Sequence, residues 1–130
     1  MAKHPNAESA RTSFEAFMKG DLETMGAGIA DDAIWHVPGK HRFAGEFSGK
    51  TTILGRFQEM AQAGVRITLD EIHDVLGNDE HVVALMRTSV DGPNGSSSQS
   101  SVWVMHVSDG KATEFWVRNE NQDEIDRVIG

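Results

Sequence analysis

The side chains able to do chemistry here are six histidines and twenty aspartates and glutamates; the 130-residue chain has no cysteine and no tyrosine. Imidazole and carboxylate acid–base work is therefore open to it. Thiol nucleophiles, disulfides and cysteine metal sites are excluded. His36 lies in the apolar run Ala33-Ile34-Trp35-His36-Val37, where a histidine beside a pocket can act as a general base. Strand alternation, however, puts His36 with Ile34 on one face and Trp35 with Val37 on the other. Glu114 alternates with Trp116 and Arg118. If that face lines a pocket, Glu114 is a desolvated carboxylate suited to acid–base work; if not, it forms an ion pair with Arg118 or across strands at the surface. His73 and Asp74 are neighbours in one strand, so they point to opposite faces and form no dyad. His106 shares a face with Val102 and Val104. His36, His41 and Glu46 match no metal-ligand spacing, and the chain has no phosphate loop or nucleotide fingerprint. No metal and no cofactor is expected.

The elements that must position these groups follow from periodicity. Ala10, Phe14, Phe17 and Met18 form one helical stripe, with Asn6 as its expected cap and Gly20 as its end. Asp21 is expected to cap a shorter helix that carries Leu22, Met25 and Ile29 and breaks at Asp31-Asp32. Ala33 to Val37 reads as a strand stopped by Pro38-Gly39. Lys40 to Ser48 reads as an ordered loop. Ile53, Leu54, Phe57, Met60 and Ala61 mark a helix from Lys50 to Gln62, closed by Gly64. After Gly64 the pattern is sheet: strands over 65–76, 81–90, 98–107 and 111–118, with turns at Gly77-Asn78-Asp79-Glu80, 91–95 and Ser108-Asp109-Gly110. A short helix from Gln122 to Ile129 ends the chain. Helices followed by antiparallel strands is the α+β order. In the strand at 98–107, Trp103, Met105 and Val107 lie on one side and Val102 and Val104 on the other. Both faces of the sheet should therefore be covered, one by helices and a pocket, the other by a partner subunit.

Length fits a single domain over 1–130, and 38% hydrophobic residues suffice for a core. The net charge of −8 disfavours nucleic acid and anionic membrane surfaces as partners. Met1 to Ser9 has no apolar signal-like segment, and no run reaches membrane-spanning length, so a cytoplasmic location is expected.

Several stretches resemble a known family. Trp35-His36-Val37-Pro38-Gly39, then Ala44-Gly45, Gly49 and an apolar helix, is similar to the SnoaL-like and ketosteroid-isomerase-like proteins of the nuclear transport factor 2-like superfamily. His73-Asp74-Val75-Leu76 with Asn78-Asp79-Glu80-His81-Val82-Val83, and Asp109-Gly110-Lys111 with Glu114-Phe115-Trp116, resemble the family's later hairpins. The resemblance implies a cone-shaped, cystatin-like α+β fold: N-terminal helices packed on a strongly curved, mainly antiparallel sheet around an apolar pocket, usually in a homodimer. Its members include isomerases, cyclases, epoxide hydrolases, dehydratases and non-enzymes, so fold alone does not fix activity. Aligned by these motifs, the Tyr/Asp/Asp positions of ketosteroid isomerases fall at Ser13, Val37 and Trp103, so that mechanism is not expected. The acidic residue that SnoaL-like cyclases place after the last strand falls at Asn121, whose amide does not exchange a proton near neutral pH. Glu120 and Asp123 beside it suit a helix N-terminus.

The catalytic candidates are thus His36, Glu114 and Asn121. The expected pocket wall comprises Phe17, Trp35, Val37, Phe57, Met60, Met86, Trp103, Met105 and Trp116, a lining suited to a small, flat, apolar molecule. Three functions fit: an enzyme using acid–base chemistry on a small apolar substrate, a non-catalytic ligand-binding module, or a dimerisation domain. The first two require a cavity, and the first also requires an ionisable group inside it. A homodimer through the outer sheet face is expected with all three.

Overall fold

The computed structural model describes residues 4–130. Helix α1 (Pro5–Met18) starts one turn earlier than its apolar stripe, because Pro5 occupies the first turn and His4 is the cap, its Nδ1 accepting from the Asn6 amide at 3.1 Å. Asn6 instead donates through its side chain to the carbonyls of Asn78 and Asp79, which ties α1 to a turn of the sheet. Helix α2 (Leu22–Ala27) is capped by Asp21, which accepts from the Thr24 amide. The Thr24 hydroxyl, and after it the Thr24 amide, holds the Asp21 carboxyl below its ordinary range.

Strand β1 (Ile29–Val37) is longer than its apolar run. Asp31 and Asp32 were expected to end a helix, yet they lie within β1 as exposed residues near an irregularity in its pairing. The stretch read as loop contains strand β2 (Gly45–Ser48), which pairs antiparallel with β1. Helix α3 (Lys50–Gln62) follows, then β3 (Arg66–Gly77), β4 (His81–Gly92), β5 (Gly95–Ser108), β6 (Lys111–Asn119) and α4 (Gln122–Ile129). The β4–β5 connection is tighter than the sequence implies: Asp91 and Gly92 continue the ladder, so the turn is only Pro93-Asn94.

The six strands form one open sheet in the order β2-β1-β6-β5-β4-β3, with β2 and β3 at its edges. All neighbours are antiparallel except β1 and β6, which run parallel. Helix α1 packs on β3, α3 on β1, and α4 against β4 and β5. Alternation separates the two faces. On β4 and β5, Val82, Ala84, Met86, Trp103 and Met105 are buried beneath the helices, while Val83, Leu85, Val102 and Val104 on the other face are only partly covered. Ala33, Ile53 and Val128 are fully buried, so β1, α3 and α4 share one core with the sheet. No helix among the described residues is long and apolar enough to cross a membrane.

Candidate ligand-binding site

The inner face carries an aromatic row across three adjacent strands. Trp35 on β1 pairs in register with Phe115 on β6, and the two rings are 5.9 Å apart and nearly parallel. Trp103 on β5 continues the row, 6.4 Å from Phe115. Phe57 of α3 stacks on Trp35 at 4.6 Å, and Phe14 of α1 meets Trp103 edge-on at 5.6 Å. The helices cannot close fully over so bulky a row, and two spaces remain.

The outer chamber, about 670 Å³ including its opening to solvent, is walled by Phe14, Phe17, Phe57, Trp103, Met105 and Phe115, with Ala10 and Ser13 of α1 and Gly28 along its side. None of its lining residues is charged. Gly28 leaves room for the Ser13 side chain, which would have to turn away from a Cβ at this position. The inner chamber, about 470 Å³ on the same measure, is walled by Trp35, Val37, Met60, Ile67, Trp103 and Val117. Its polar rim is formed by His41, Thr88, Asn119 and Gln122. Each of these rim groups is hydrogen-bonded within the protein. Asn119 Nδ2 donates to Gln122 Oε1 at 2.8 Å, Gln122 Nε2 donates to Asp126 at 3.0 Å, and the Thr88 and Ser101 hydroxyls are 2.6 Å apart. His41 Nδ1 accepts from the Phe43 amide at 3.1 Å. Burial lowers the His41 pKa from its ordinary value, against the opposing Asp126 carboxylate and Pro38 carbonyl, so the ring is held neutral.

Trp103 lines both chambers. Its Nε1 and that of Trp35 are two of three buried side-chain nitrogens among the described residues without a hydrogen-bond partner; the third is Arg56 Nε. A buried donor left unmade costs about 1–3 kcal/mol, so each marks a place where an acceptor is missing.

Of the expected wall, Phe17, Phe57, Trp103 and Met105 line the outer chamber, and Trp35, Val37, Met60 and Trp103 the inner one. Two residues lie elsewhere. Met86 is buried on the inner face of β4 but is packed into the core away from both chambers. Trp116 is on the outer face, because its strand neighbours Phe115 and Val117 take the inner one. Ser13, Val37 and Trp103, the three positions aligned with the isomerase machinery, all face the two chambers. The polar rim of the inner chamber was not identified from sequence. Its members come from β4, β6, α4 and the loop between β1 and β2, and only the tertiary fold brings them together.

The acid–base candidates are not in either chamber. His36 and Glu114 do meet, with His36 Nε2 2.6 Å from Glu114 Oε2, but on the outer face, where each side chain is about a quarter exposed. Trp116 stacks flat on His36 at 4.9 Å and meets His106 edge-on at 5.0 Å; His106 Nδ1 is 3.6 Å from the other Glu114 oxygen. Asn121 is an exposed N-cap of α4, its side-chain oxygen accepting from the Glu124 amide at 3.2 Å. Its backbone amide donates to the buried Gln99, which anchors the start of α4 to β5.

The family model for the SnoaL-like domain matches residues 10–115. The chain belongs to the SnoaL-like family. A Mycobacterium tuberculosis protein is 29% identical over 116 residues, covering 88% of each chain. Among solved structures, a Xanthomonas campestris protein with a cystatin-like fold superposes with a TM-score of 0.89 at 23% identity, over 96% of this chain and 98% of that one. An NTF2-like protein from Burkholderia pseudomallei gives 0.80 at 26% identity, over 97% and 98%. A candidate polyketide cyclase from Xanthomonas campestris gives 0.78 at 20% identity, over 97% of each chain. The SnoaL-like chain described here thus has the cystatin-like α+β fold of the nuclear transport factor 2-like proteins.

Proposed function

We propose that this SnoaL-like protein binds a small, neutral, apolar molecule between α1, α3 and the inner sheet face. One observation carries the reading: the outer chamber is open to solvent, walled by aromatic and methionine side chains, and lined by no charged residue. Apolar burial supplies affinity there at about 25 cal/mol per Å² of area removed from water, whereas a charged ligand would be left uncompensated. Binding without turnover is favoured over acid–base catalysis. The His36–Glu114 pair lies across the sheet from the cavity, and the rim histidine, His41, already accepts a backbone hydrogen bond.

The outer face is the proposed surface for a second copy. Cross-strand registers align Trp116, Val104 and Val83 in one row and Val102 and Leu85 in the next. Glu114 and His106 border these rows on one side and Ser100 and Arg87 on the other, with His36 at the β1 end of the first row and Arg118 at the β6 end of the second. A two-fold axis through the apolar rows would set the Glu114 border of one copy against the arginine border of the other.

Thermal denaturation with fluorene and with fluorene-9-carboxylate tests the pocket. The neutral hydrocarbon should raise the melting temperature in a concentration-dependent way, by linkage of binding to folding, and the carboxylate should have little effect. An equal rise with both, or a rise with the anion alone, would contradict a neutral apolar site.

A further inference from the structure

We propose that Trp103 determines specificity in this pocket by length: its indole closes the inner end of the outer chamber, so the bound molecule is a compact apolar one and long-chain compounds are excluded. The inference rests on the pocket reading above and adds a size class to it.

The two chambers lie end to end along the inner sheet face. Val107, Met105 and Trp103 are alternate residues of β5 and line the outer chamber in that order from the β5–β6 turn. Ser9 and Gly110, also in its lining, are exposed, so the mouth lies between that turn and the N-terminal half of α1. From Val107 to Trp103 is four residues of strand, so the chamber runs about 13 Å before it meets the indole. Beyond the indole the lining passes to Thr88 and Val90 on β4 and to Val117 and Asn119 on β6, which belong to the inner chamber. Among the described residues, Trp103 alone lines both. Elsewhere the partition is two rings thick. Phe57 and Phe115 line only the outer chamber and Trp35 only the inner one, and Trp35 stacks on them at 4.6 and 5.9 Å. At Trp103 a single indole stands between the two spaces. It is held in place: Phe115 stacks alongside, Phe14 meets it edge-on, and Ala84 and Val117 flank it on the neighbouring strands. A molecule that ends at the indole buries all of its apolar surface. A longer one must leave its tail in water or displace a close-packed aromatic row.

Straight-chain primary alcohols from hexanol to tetradecanol, competed against the neutral fluorophore N-phenyl-1-naphthylamine, test the assignment on the full chain. The hydroxyl stays at the mouth and the alkyl chain enters. Wild-type affinity should rise about fourfold per added methylene and stop rising once the chain end reaches the indole. Trp103→Leu should extend the rise by several methylenes. Tetradecanol should then bind the variant at least about tenfold more tightly than wild type, with hexanol affinity changed by no more than about threefold. Phe57→Leu thins the partition where Trp35 still stands behind it, and should keep the wild-type limit. A nuclear Overhauser contact from the terminal methyl of tetradecanol to Ile67, which lines only the inner chamber, should appear in Trp103→Leu and be absent in wild type. Thermal melts check that each variant folds. If Trp103→Leu does not, Trp103→Phe, which keeps one ring in the row, carries the same comparison with a smaller extension. A wild-type affinity that rises through the whole series, or an unchanged limit in the folded Trp103 variant, overturns the assignment and leaves the pocket reading standing. If no alcohol binds, the assignment falls; if the fluorophore does not bind either, the pocket reading falls with it.

Discussion

His41 shows how the cavity acts on a single side chain. Burial is the main cause that pushes its pKa below the ordinary value of 6.5; the Asp126 carboxylate and the Pro38 carbonyl oppose the shift, and Arg56 adds to it. The sign of the linkage follows. Below pH 6.5 the unfolded chain takes up a proton on His41 that the folded chain resists. Stability should therefore fall as pH drops from 6.5 toward the lowered folded value, and this contribution should be fully present above 6.5. His41→Asn keeps an acceptor for the Phe43 amide and removes the titration. Urea denaturation of both proteins from pH 7.5 to 5.5 should give a shallower pH dependence for the variant, and parallel curves would contradict the assignment. Side-chain facing was legible at this scale where alternation runs unbroken: counting along β1 puts Trp35 and His36 on opposite faces, and the family resemblance makes the Trp35 side the pocket side. Glu114 was not resolved by counting, because its face could be assigned only once the burial of Phe115 and Val117 was known.

Glycines test the packing of elements. Gly92 ends β4 where α4 crosses, and a Cβ there would overlap the Val128 carbonyl oxygen. Gly92→Ala should displace α4 and destabilise the fold by about 1–3 kcal/mol, as overpacking does. Gly55 lies inside α3 with nothing near its missing side chain. Gly55→Ala should stabilise by about 0.5–1 kcal/mol through helix propensity. Thermal melts of the two variants should move in opposite directions. Most elements could be read from the sequence because their signals are local. The stripe through Ile53, Phe57 and Met60 marks α3, and Gly64 ends it. The exceptions were decided by pairing. Asp31 and Asp32 have poor strand propensity, yet they continue β1 because the chain must run from Ile29, paired with Ala112, to Ile34, paired with Glu114. Strand β2 is short and polar, and exists only because the β1 edge offers it a ladder.

The whole molecule presents two apolar surfaces, one enclosed and one open. The open one should bring two copies together, so light scattering at micromolar concentration should report twice the 14.2 kDa chain mass. Arg87→Glu would set like charges across the proposed two-fold interface and should shift the population toward monomer; a monomeric wild-type protein would contradict the interface. The expectation of a cavity came from the resemblance to the SnoaL-like fold. Its division into two chambers did not, because that depends on ring geometry at Trp103, Phe115 and Phe57. The central claim is that the enclosed surface holds a neutral apolar molecule, and calorimetric titration with 9-fluorenone at several temperatures tests it most directly. One molecule should bind per chain with a negative heat-capacity change. Ala10→Trp, which introduces an indole at the wall of the outer chamber, should abolish binding while the protein stays folded. The absence of saturable binding to the wild-type protein, or undiminished binding to folded Ala10→Trp, would contradict the account.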